Sequence, residues 1–504
     1  MTNPTLPTTG SSRSLGMTIA RNTAFVTFGG LLLKVVSFLF GVYVVRRLGD
    51  DRFGQYSIVL AFVGLFQIFA ELGVSQFVMR EISRDRTKAS SLFWNLVAVR
   101  LILAAVGIIG ITIGAAGIGY SQALVLGVFL YTWTFLLSAV EAPLETILTA
   151  HERFDIVTIL TLLGQVGFVL LGVLVLYSGW GFLALVASGL VAMLPQVGLA
   201  VYIVRKNRYL DRSPQISPRT WPRLVRSGLP FMFISLSLTI SFRFDTVILS
   251  KLQPEHVVGW YNVAYGLAKS LTFTLAGFSV AMVPSLSRTY VRDAAQVEIW
   301  YSRSVKFIAL LALPVAVGGM LVAEPLIRAL YTAEFLPAAA SLRIIIWDVP
   351  LLLFASFCGN MTTIVGEERS AARIYAASAV ANILLNLIFI PVFGYLGASA
   401  VTVVTDLVAG VPFYILLSRK LSLPKMSGTF ARILLACLMM GLLVHALVKI
   451  DLVLAILGGM TAYAVLVFLL RIIDRAEIST IRRVLAVRKG AQAEGQAVAG
   501  GVTR

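Results

Sequence analysis

The chain has 504 residues, of which 58% are hydrophobic and only 13% charged, and its mean hydropathy is +0.89. A soluble protein of this length cannot cover so much apolar surface, so the composition predicts an integral membrane protein. The formal net charge of +18 does not require a nucleic acid partner, because membrane topology and anionic lipids account for it. Cys358 and Cys437 both fall in apolar segments, so no disulfide framework is predicted.

The apolar segments predict fourteen transmembrane helices, since one crossing needs about 20 apolar residues. The first 22 residues are polar and lack an apolar signal core, so 1–22 is predicted as a cytoplasmic N-terminal tail. The predicted helices cover residues 23–45, 56–79, 91–114, 121–142, 155–178, 181–204, 227–250, 261–283, 304–323, 341–364, 373–392, 396–418, 430–449 and 452–471.

The helices divide the chain into lobes, and the loop charges orient it. The predicted N-lobe covers 23–204 (helices 1–6), a basic cytoplasmic linker 205–226, the C-lobe 227–418 (helices 7–12), helices 13 and 14 cover 430–471, and a basic cytoplasmic tail with a disordered end covers 472–504. About 30 Lys and Arg fall on the side of the N-terminus and about 6 on the opposite side. This predicts a multi-pass protein of the plasma (inner) membrane with both termini cytoplasmic.

Two pairs of similar segments predict an internal duplication. RRLGDDRFGQYSIVLAF (46–62) matches SKLQPEHVVGWYNVAYGL (250–267), and both contain Gly-x-Tyr. GFLALVASGL (181–190) matches GYLGASAVTV (394–403). The offsets are about 205 and 213 residues, so each unit has six helices and both units enter the membrane from the same side. Transporters built from parallel repeats bind substrate between the lobes; chance similarity of apolar helices is the alternative.

Basic residues within the predicted helices mark a candidate substrate site, because a charge at a helix centre costs about 2.5–3.5 kcal/mol. Lys34, Arg100 and Arg243 are predicted to bind an anionic group such as a phosphate. Lys34 and Arg243 lie in helices 1 and 7, which are equivalent in the two repeats. Each lobe would therefore contribute one cation to a central cleft. The alternative is that each cation pairs with a nearby carboxylate, for example Glu71.

Arg243 and Asp245 are two residues apart and so lie on different helix faces, about 200° around the axis. Asp245 is therefore a candidate for a second site, distinct from the cleft. Three further basic residues lie nearer helix ends, where snorkelling to the headgroups is predicted; they are Lys269, Lys306 and Arg343.

Helices 11 and 12 carry further polar residues at depth. They are Asn382, Asn386, Thr402, Thr405 and Asp406. Carboxylate, amide and hydroxyl oxygens suit a hard cation such as Na⁺, and a carboxylate alone suits a proton. The alternative is that these side chains hydrogen-bond between helices and hold the lobe together.

Neither an ATP motor nor a metal site nor an enzyme is predicted. The sequence has no Gly-x-x-x-x-Gly-Lys-Ser/Thr loop, and its three histidines show no metal-ligand spacing. No loop is long enough for a catalytic domain outside the membrane. Glu141 and Glu145, near the inner end of helix 4, are predicted to be interfacial rather than catalytic. No cofactor is expected.

Several segments together resemble the polysaccharide (lipid-linked oligosaccharide) flippases of the MOP exporter superfamily. YVVRRLGDDRFGQYSIVLAF (43–62) and AELGVSQFVMREISR (70–84) resemble the start of that family's sequences. RFDTVILSKLQPEHVVGWYNVAYGL (243–267) and GEERSAARIYAASAVANILLNLIFIPVFGYLGASAVTVVT (366–405) resemble its later pattern. The similarity covers roughly residues 18–475, and its specificity lies in the order and spacing of these elements.

The resemblance implies an all-α, V-shaped transporter with two six-helix lobes plus helices 13 and 14, working by alternating access. It would move a polyprenyl-(di)phosphate-linked oligosaccharide from the cytoplasmic to the outer leaflet for polysaccharide or glycan assembly. The expected partners are this lipid-linked substrate, membrane lipids, a polysaccharide polymerase and glycosyltransferases. The protein is expected to act as a monomer and to bind no nucleic acid.

The resemblance also implies a coupling-ion site. Related lipid II flippases build one from an acid on helix 7, a polar pair on helix 11 and a threonine on helix 12. Asp245, Asn382, Asn386 and Thr402 match those positions, with Na⁺ or H⁺ as the ion. Asn386 stands where those relatives can carry an acid. The alternative functions are a lipid II flippase and a MATE-type drug or cation antiporter, which would favour acidic cavity residues.

Overall fold

The computed structural model describes residues 9–211, 215–292, 294–421 and 427–473. These residues are helical apart from short turns and the linker between the lobes. The first eight residues of the predicted N-terminal tail lie outside the described residues. Nearly all of the predicted C-terminal tail lies outside them as well.

Fifteen α-helices occur in the described residues. In chain order they are α1 (Thr9–Glu71), α2 (Val74–Arg84), α3 (Ala89–Gly117), α4 (Gln122–Thr132), α5 (Thr134–Ala150), α6 (Phe154–Tyr177), α7 (Gly181–Lys206), α8 (Trp221–Leu252), α9 (Glu255–Arg292), α10 (Ala294–Leu330), α11 (Ala338–Ile345), α12 (Asp348–Ile364), α13 (Glu368–Lys420), α14 (Ser427–Leu447) and α15 (Leu452–Leu469).

Two of these helices contain a reversal at a glycine. At about 1.5 Å per residue, α1 and α13 would be about 95 and 80 Å long if straight, against about 30 Å of hydrocarbon. Gly49 in α1 has φ 72° and Gly394 in α13 has φ 56°. L side chains rarely adopt positive φ, so glycine is required at both reversals. The residues before and after each glycine are called the first and second arms of that helix.

The structure confirms the prediction of fourteen membrane segments. Ten helical stretches among the described residues are long and apolar enough to cross a membrane. Two of them contain the reversals and so supply four crossings, and α8 and α9 supply two more. α4 with α5 and α11 with α12 each form one interrupted crossing.

Several helices extend beyond the ends expected from hydropathy. α1 begins at Thr9 rather than near residue 23. The predicted linker is helical at both ends, because α7 continues to Lys206 and α8 begins at Trp221. Helix propensity extends these segments into polar sequence that hydropathy alone assigns to loops.

The turns between helices gather at two ends of the molecule. The turn end holds Gly49, whose Cα lies beside Glu334, and Gly394, which lies beside Gln253. The linker end holds the segment between α7 and α8. There Asn95 of α3 fixes the linker by donating to the carbonyl of Gln215 at 2.9 Å.

Buried apolar side chains join the two lobes into one body. The largest cluster runs from Phe40 in α1 to Leu421 after α13, and a second cluster fills the linker end of the N-lobe. Two small clusters attach α14 and α15 to α10, where the Tyr463 hydroxyl donates to the Leu310 carbonyl at 2.8 Å. The last two helices therefore pack outside the two six-helix lobes.

Candidate functional site

At the turn end the lobes meet through two equivalent glycines. A Cβ on Gly54 would lie 1.8 Å from the Glu255 carbonyl oxygen, and one on Gly259 would lie 2.5 Å from the Asp50 carbonyl oxygen. Only glycine allows such an approach of two backbones. Both pairs of equivalent residues differ by 205 in number. The contact therefore has pseudo-two-fold symmetry, as expected for parallel repeats.

Polar contacts reinforce this closure. Arg46 of the N-lobe donates from Nε to the Leu330 carbonyl of the C-lobe at 2.6 Å. Gln55 donates from Nε2 to Glu255 Oε2 at 2.5 Å. Each of these bonds joins one lobe to the other, so the lobe boundary is closed at the turn end.

A second close approach joins the lobes at the linker end. A Cβ on Gly228 of α8 would lie 2.4 Å from the Leu72 carbonyl oxygen. A Cβ on Gly73, between α1 and α2, would lie 2.6 Å from the Gly228 carbonyl oxygen. α8 thus contacts the N-lobe near both of its ends, and the structure has both ends of this boundary closed.

Arg243 lies on α8 between these two closures. Its Nε is 3.4 Å from the position that a Cβ on Gly64, in the second arm of α1, would occupy. The side chain is exposed, and among the described residues its guanidinium has no hydrogen-bond or ion-pair partner. Asp245, two residues later, is only 1% exposed. The helix therefore presents Arg243 to the lobe boundary and Asp245 to the interior of the C-lobe.

Lys34 is exposed on the first arm of α1. At about 1.5 Å per residue it lies about 22 Å from Gly49, whereas Arg243 lies about 14 Å from the end of α8. The two cations are therefore about 8 Å apart in depth, with Lys34 nearer the linker end.

Arg100 lies inside the N-lobe and is 2% exposed. Its guanidinium donates to Ser75 Oγ at 3.0 Å and Ser138 Oγ at 3.3 Å, and lies 3.8 Å from Glu71 Oε1. The carboxylate suggested as a partner for Lys34 thus pairs with Arg100. The contacts of the described residues do not bring Arg100 together with Arg243.

The N-lobe contains a cavity of about 440 Å³ between the second arm of α1 and helices α4 to α7. Its polar lining residues are Tyr56, Gln67, Glu71, Tyr131, Thr134, Ser138, Glu141 and Glu145. These phenol, amide, hydroxyl and carboxylate groups can bond sugar hydroxyls on several sides. Sequence reasoning placed Glu141 and Glu145 at the interface. Their spacing of four residues, which puts them on one helix face, was the available signal.

In the C-lobe, Asp245 belongs to a cluster with Tyr261 and Thr402, called the aspartate–tyrosine cluster. Asp245 Oδ2 accepts a hydrogen bond from the Tyr261 hydroxyl and one from Thr402 Oγ1 at 3.5 Å. The two hydroxyl oxygens are 3.2 Å apart. The structure thus brings together two of the predicted cation ligands, from α8 and α13. It adds Tyr261, the tyrosine of the repeated Gly-x-Tyr element.

Asn382 and Asn386 form a pair on the first arm of α13. Asn386 donates from Nδ2 to Asn382 Oδ1 at 3.1 Å, and Asn382 donates from Nδ2 to Thr405 Oγ1 at 3.3 Å. Asn386 Oδ1 is buried and has no donor among the described residues. No hydrogen bond of these residues joins the pair to Asp245.

The arrangement limits which ion these residues can bind. Asp245 and Asn386 each lie seven or eight residues from the turn end of their helices, about 10–12 Å along the axis, and so at a similar depth. In the part of the chain that the structure describes, no group of three His, Cys, Asp or Glu side chains is placed to hold a metal ion. One carboxylate with neutral oxygens suits Na⁺ or a proton better than a multivalent metal.

A third group in the C-lobe is the lysine–aspartate cluster, formed by Lys269, Asp348 and Asp406. Lys269 Nζ lies 2.9 Å from Asp348 Oδ2, and both side chains are buried. The prediction that Lys269 snorkels to the headgroups is therefore wrong, because its ammonium is held by Asp348 within the lobe. Sequence reasoning missed Asp348. The available signal was Pro350, which marks a helix start in the middle of an apolar segment.

Two repeated helical lobes, a shared boundary closed by glycines and ionic groups buried within the lobes are the features of a multi-pass membrane transporter. The chain belongs to the polysaccharide biosynthesis protein family, whose sequence profile matches residues 19–290. The profile of the MatE family matches residues 230–388.

Individual relatives agree with this assignment. A Shigella flexneri protein named "Putative O-antigen transporter" is 22% identical over 411 residues, covering 76% of this chain and 94% of the relative. A Haloferax volcanii "Probable low-salt glycan biosynthesis flippase" is 23% identical over 397 residues, covering 77% and 80%. The solved structure "Lipid II flippase MurJ, inward closed conformation" superposes with a TM-score of 0.73 at 14% identity, covering 89% of this chain and 99% of that one. At this identity the likeness shows the fold.

Proposed function

We propose that the protein moves a polyprenyl-(di)phosphate-linked oligosaccharide from the cytoplasmic to the outer leaflet of the cell membrane, for polysaccharide or glycan assembly. Family membership and the names of the two sequence relatives support this substrate class. The charge asymmetry of the loops supports a cytoplasmic linker end and cytoplasmic termini. The protein acts as a monomer, beside the polymerase and glycosyltransferases of the same assembly route.

The position of Arg243 is the observation that carries this proposal. It is a C-lobe cation that faces the N-lobe between two closable ends of the boundary, next to Gly64. A guanidinium in that place binds a phosphate through charge-assisted hydrogen bonds. Lys34 supplies a second cation nearer the linker end. Arg100 stays a predicted phosphate contact, adjacent to the cavity through Glu71 and Ser138.

The headgroup needs such a route because it cannot cross the hydrocarbon unaided. Each unpaired hydroxyl would cost about 2–7 kcal/mol there. The N-lobe cavity binds the sugar hydroxyls while the prenyl chain stays in lipid, and the lobes rock to open one end of the boundary at a time. With the cytoplasm negative, outward movement of an anionic head is favoured by about 2.3 kcal/mol per charge per 100 mV.

A coupling cation binds in the C-lobe. Asp245, Asn382, Asn386 and Thr402 supply its oxygen ligands, and the ion is Na⁺ or H⁺. Asp245→Asn removes the negative charge but keeps an amide oxygen that can still accept the hydrogen bond from the Tyr261 hydroxyl. We expect this variant to lose any dependence of flipping on Na⁺ or pH. A dependence equal to that of the wild type would dismiss the site.

Arg243→Ala tests the phosphate role. Losing a charge-assisted hydrogen bond of about 1.5–3 kcal/mol lowers flipping by about 10- to 100-fold. The assay follows lipid-linked glycan reaching the outer leaflet in cells that lack the native gene. Arg243→Lys should recover part of the rate. Arg328→Ala, an exposed arginine of α10, is the matched control. Normal flipping by a well-expressed Arg243→Ala protein would contradict the proposal.

A MATE-type cation antiporter is the second candidate, and the cavity favours it through Glu71, Glu141 and Glu145. Carboxylates bind both organic cations and sugar hydroxyls, so the cavity alone does not decide. Replacing Glu141 and Glu145 with Gln separates the two functions. Loss of glycan export with unchanged sensitivity to cationic drugs supports the flippase. Loss of drug resistance with normal glycan export supports the antiporter.

A further inference from the structure

The lysine–aspartate cluster is not used by the flipping mechanism above, although it is the most strongly ionic group inside the C-lobe. It joins three helices: Lys269 lies on α9, Asp348 on α12 and Asp406 on the second arm of α13. Lys269 and Asp406 are about 21 and 18 Å from the turn end, measured along α9 and the second arm of α13. Asp348 is about 15 Å from that end, measured from the start of α11. All three residues are therefore deep in the membrane. Ionisable groups at such depth are costly and mark ion or proton pathways.

The contacts of the cluster require an exchangeable proton. Lys269 Nζ donates a hydrogen bond to Asp348 Oδ2 at 2.9 Å and forms an ion pair with it. The Asp406 carboxyl lies within hydrogen-bonding reach of the Asp348 carboxyl. Asp348 Oδ1 and Asp406 Oδ2 are buried and have no hydrogen-bond partner among the described residues. Two ionised carboxylates buried close together repel, and a single lysine balances only one of them, so a proton on the other relieves the repulsion.

The surroundings decide which carboxyl holds the proton. Asp348 is the first residue of α12, so the positive end of that helix dipole stabilises its negative charge. It also contacts the Lys269 ammonium directly. Asp406 lies within α13 and has neither advantage. These contacts favour the negative charge on Asp348, which leaves Asp406 as the carboxyl of the pair that would take up a proton.

Charge balance then makes the cluster a one-proton site. With Asp406 protonated, Lys269 and Asp348 cancel and the cluster is neutral. Loss of that proton leaves one net negative charge buried between α9, α12 and α13, which those helices can relieve only by moving apart or by taking up a cation. Besides its own three members, the ionisable groups that face the cluster from the packed elements are Asp245, Tyr265 and Tyr375.

We propose that Asp406 is a proton-binding site of this transporter, with the Asp348–Lys269 ion pair as its fixed counter-group. The site is distinct from the aspartate–tyrosine cluster, since Asp406 lies one turn beyond Thr402 on α13. Its use as the coupling site of transport rests on the proposed flippase function. Proton binding itself does not, because it follows from the cluster alone.

Infrared difference spectroscopy of the purified protein in lipid tests proton binding without any substrate. The wild-type minus Asp406→Asn spectrum at neutral pH should contain the C=O band of a neutral carboxylic acid. The matched control is Glu324→Gln, an exposed carboxylate of α10, which should show only carboxylate bands. Carboxylate bands alone in the Asp406 difference spectrum would mean that Asp406 is ionised, and would overturn the proposal.

Asp348→Asn provides the second arm of the test. Without Asp348, Lys269 is left to pair with Asp406, so the neutral-acid band should disappear from this variant as well. A band that persists in Asp348→Asn would show that the proton is not shared by this pair.

Flipping then tests coupling separately. Asp406→Asn mimics the protonated state permanently and should lower flipping by about tenfold or more, with a weaker pH dependence than the wild type. Wild-type flipping and pH dependence in Asp406→Asn would overturn the coupling role. If the wild type shows the neutral-acid band but transports no lipid-linked glycan, the flippase function fails while the proton site stands.

Discussion

Tyr261 of the C-lobe corresponds to Tyr56 of the N-lobe at the offset of 205 residues. The matched segments 46–62 and 250–267 differ by one residue in length, so Asp245, which precedes the loop, aligns with Phe40 and Gly41. Asp245 accepts the hydroxyl of its tyrosine inside a packed helix bundle. Phe40 instead packs edge-on against Phe168, with ring centroids 5.3 Å apart, and Tyr56 lines the N-lobe cavity. The same helix pair thus holds a buried carboxylate in one lobe and an apolar ring beside an open cavity in the other.

The difference extends to the lysine–aspartate cluster. Lys269 corresponds to Gly64 at the offset of 205, and Asp406 corresponds to Met193 at the offset of 213. Met193 lines the N-lobe cavity. At both of these positions the N-lobe has an uncharged residue where the C-lobe has an ionisable one. The comparison teaches that the two lobes share their helices but differ in the charge they bury, as the proposed division between a substrate cavity and a coupling-ion site requires.

Lys269→Met, which removes a buried cation of the C-lobe, should cause the largest loss of stability among these variants. It leaves Asp348 buried without its cation, which costs about 3–5 kcal/mol. Thermal unfolding of the purified protein in detergent measures the loss. Arg328→Met, which removes an exposed ion pair of the same lobe, should cost no more than about 1 kcal/mol. Equal losses for the two variants would mean that the buried pair is not structurally distinct.

Phe40→Ala tests the apolar side of the comparison. Lipid is as apolar as the lobe interior, so the transfer part of the usual cost is absent and the lost packing remains, about 2 kcal/mol. Asp245→Asn should cost less than this in the same unfolding assay but change the response of flipping to Na⁺ or pH. A Phe40→Ala protein with altered ion response would break the proposed division between the lobes.

Gly54→Ala and Gly259→Ala test where the lobes remain alike. Each added Cβ meets a backbone carbonyl of the other lobe, so both variants should lose about 1–3 kcal/mol and separate the lobes at the turn end. Distances between spin labels across that end report the separation. Gly110→Ala, where a Cβ meets no atom within 4 Å, is the control. Unequal effects of the two substitutions would contradict the pseudo-two-fold contact.

The smallest effect concerns a surface ion pair at the linker end. Lys420 Nζ lies 2.8 Å from Glu367 Oε1 and lowers the pKa of that carboxyl, with help from Ser370. A lowered pKa in the folded state stabilises the fold above the ordinary value near 4.5, and this contribution disappears as the pH falls through the folded-state pKa. Melting temperatures of the wild type and Lys420→Met should differ slightly at pH 7 and converge in acid. A difference in melting temperature that grows as the pH falls would contradict this prediction.

The N-lobe has an equivalent acid-sensitive contact outside the membrane. Thr87 donates its hydroxyl to Asp85 Oδ1 at 2.6 Å, and this bond, followed by the one from Lys88, lowers the pKa of Asp85. Both surface contacts should therefore weaken only as the pH falls below the ordinary carboxyl pKa values of 3.8 for Asp85 and 4.5 for Glu367.

The fourteen segments could be predicted because hydrophobic length is a strong signal and is independent of packing. The partners of the charges could not be predicted as well. A helix that is apolar on all sides gives little periodicity, so the sequence does not report which face meets which neighbour. Arg100 therefore gained Glu71 as its partner, and Lys269 gained Asp348, only when the helices were packed. Asp245 was placed correctly apart from Arg243 because that inference needed only the geometry of one helix.

The symmetric contact between the backbones at Gly54 and Gly259 indicates how the chain arose. A contact in which each half presents the same residues to the other is the contact of a C₂ dimer. A half-length ancestor carrying one such glycine would have paired with an identical copy in the membrane, and fusion of two copies preserved that pairing as an internal axis. Any substitution in the single-copy form would have appeared on both sides at once. Only after fusion could the two sides differ, with the Asp245 carboxylate on one side and an apolar helix segment on the other.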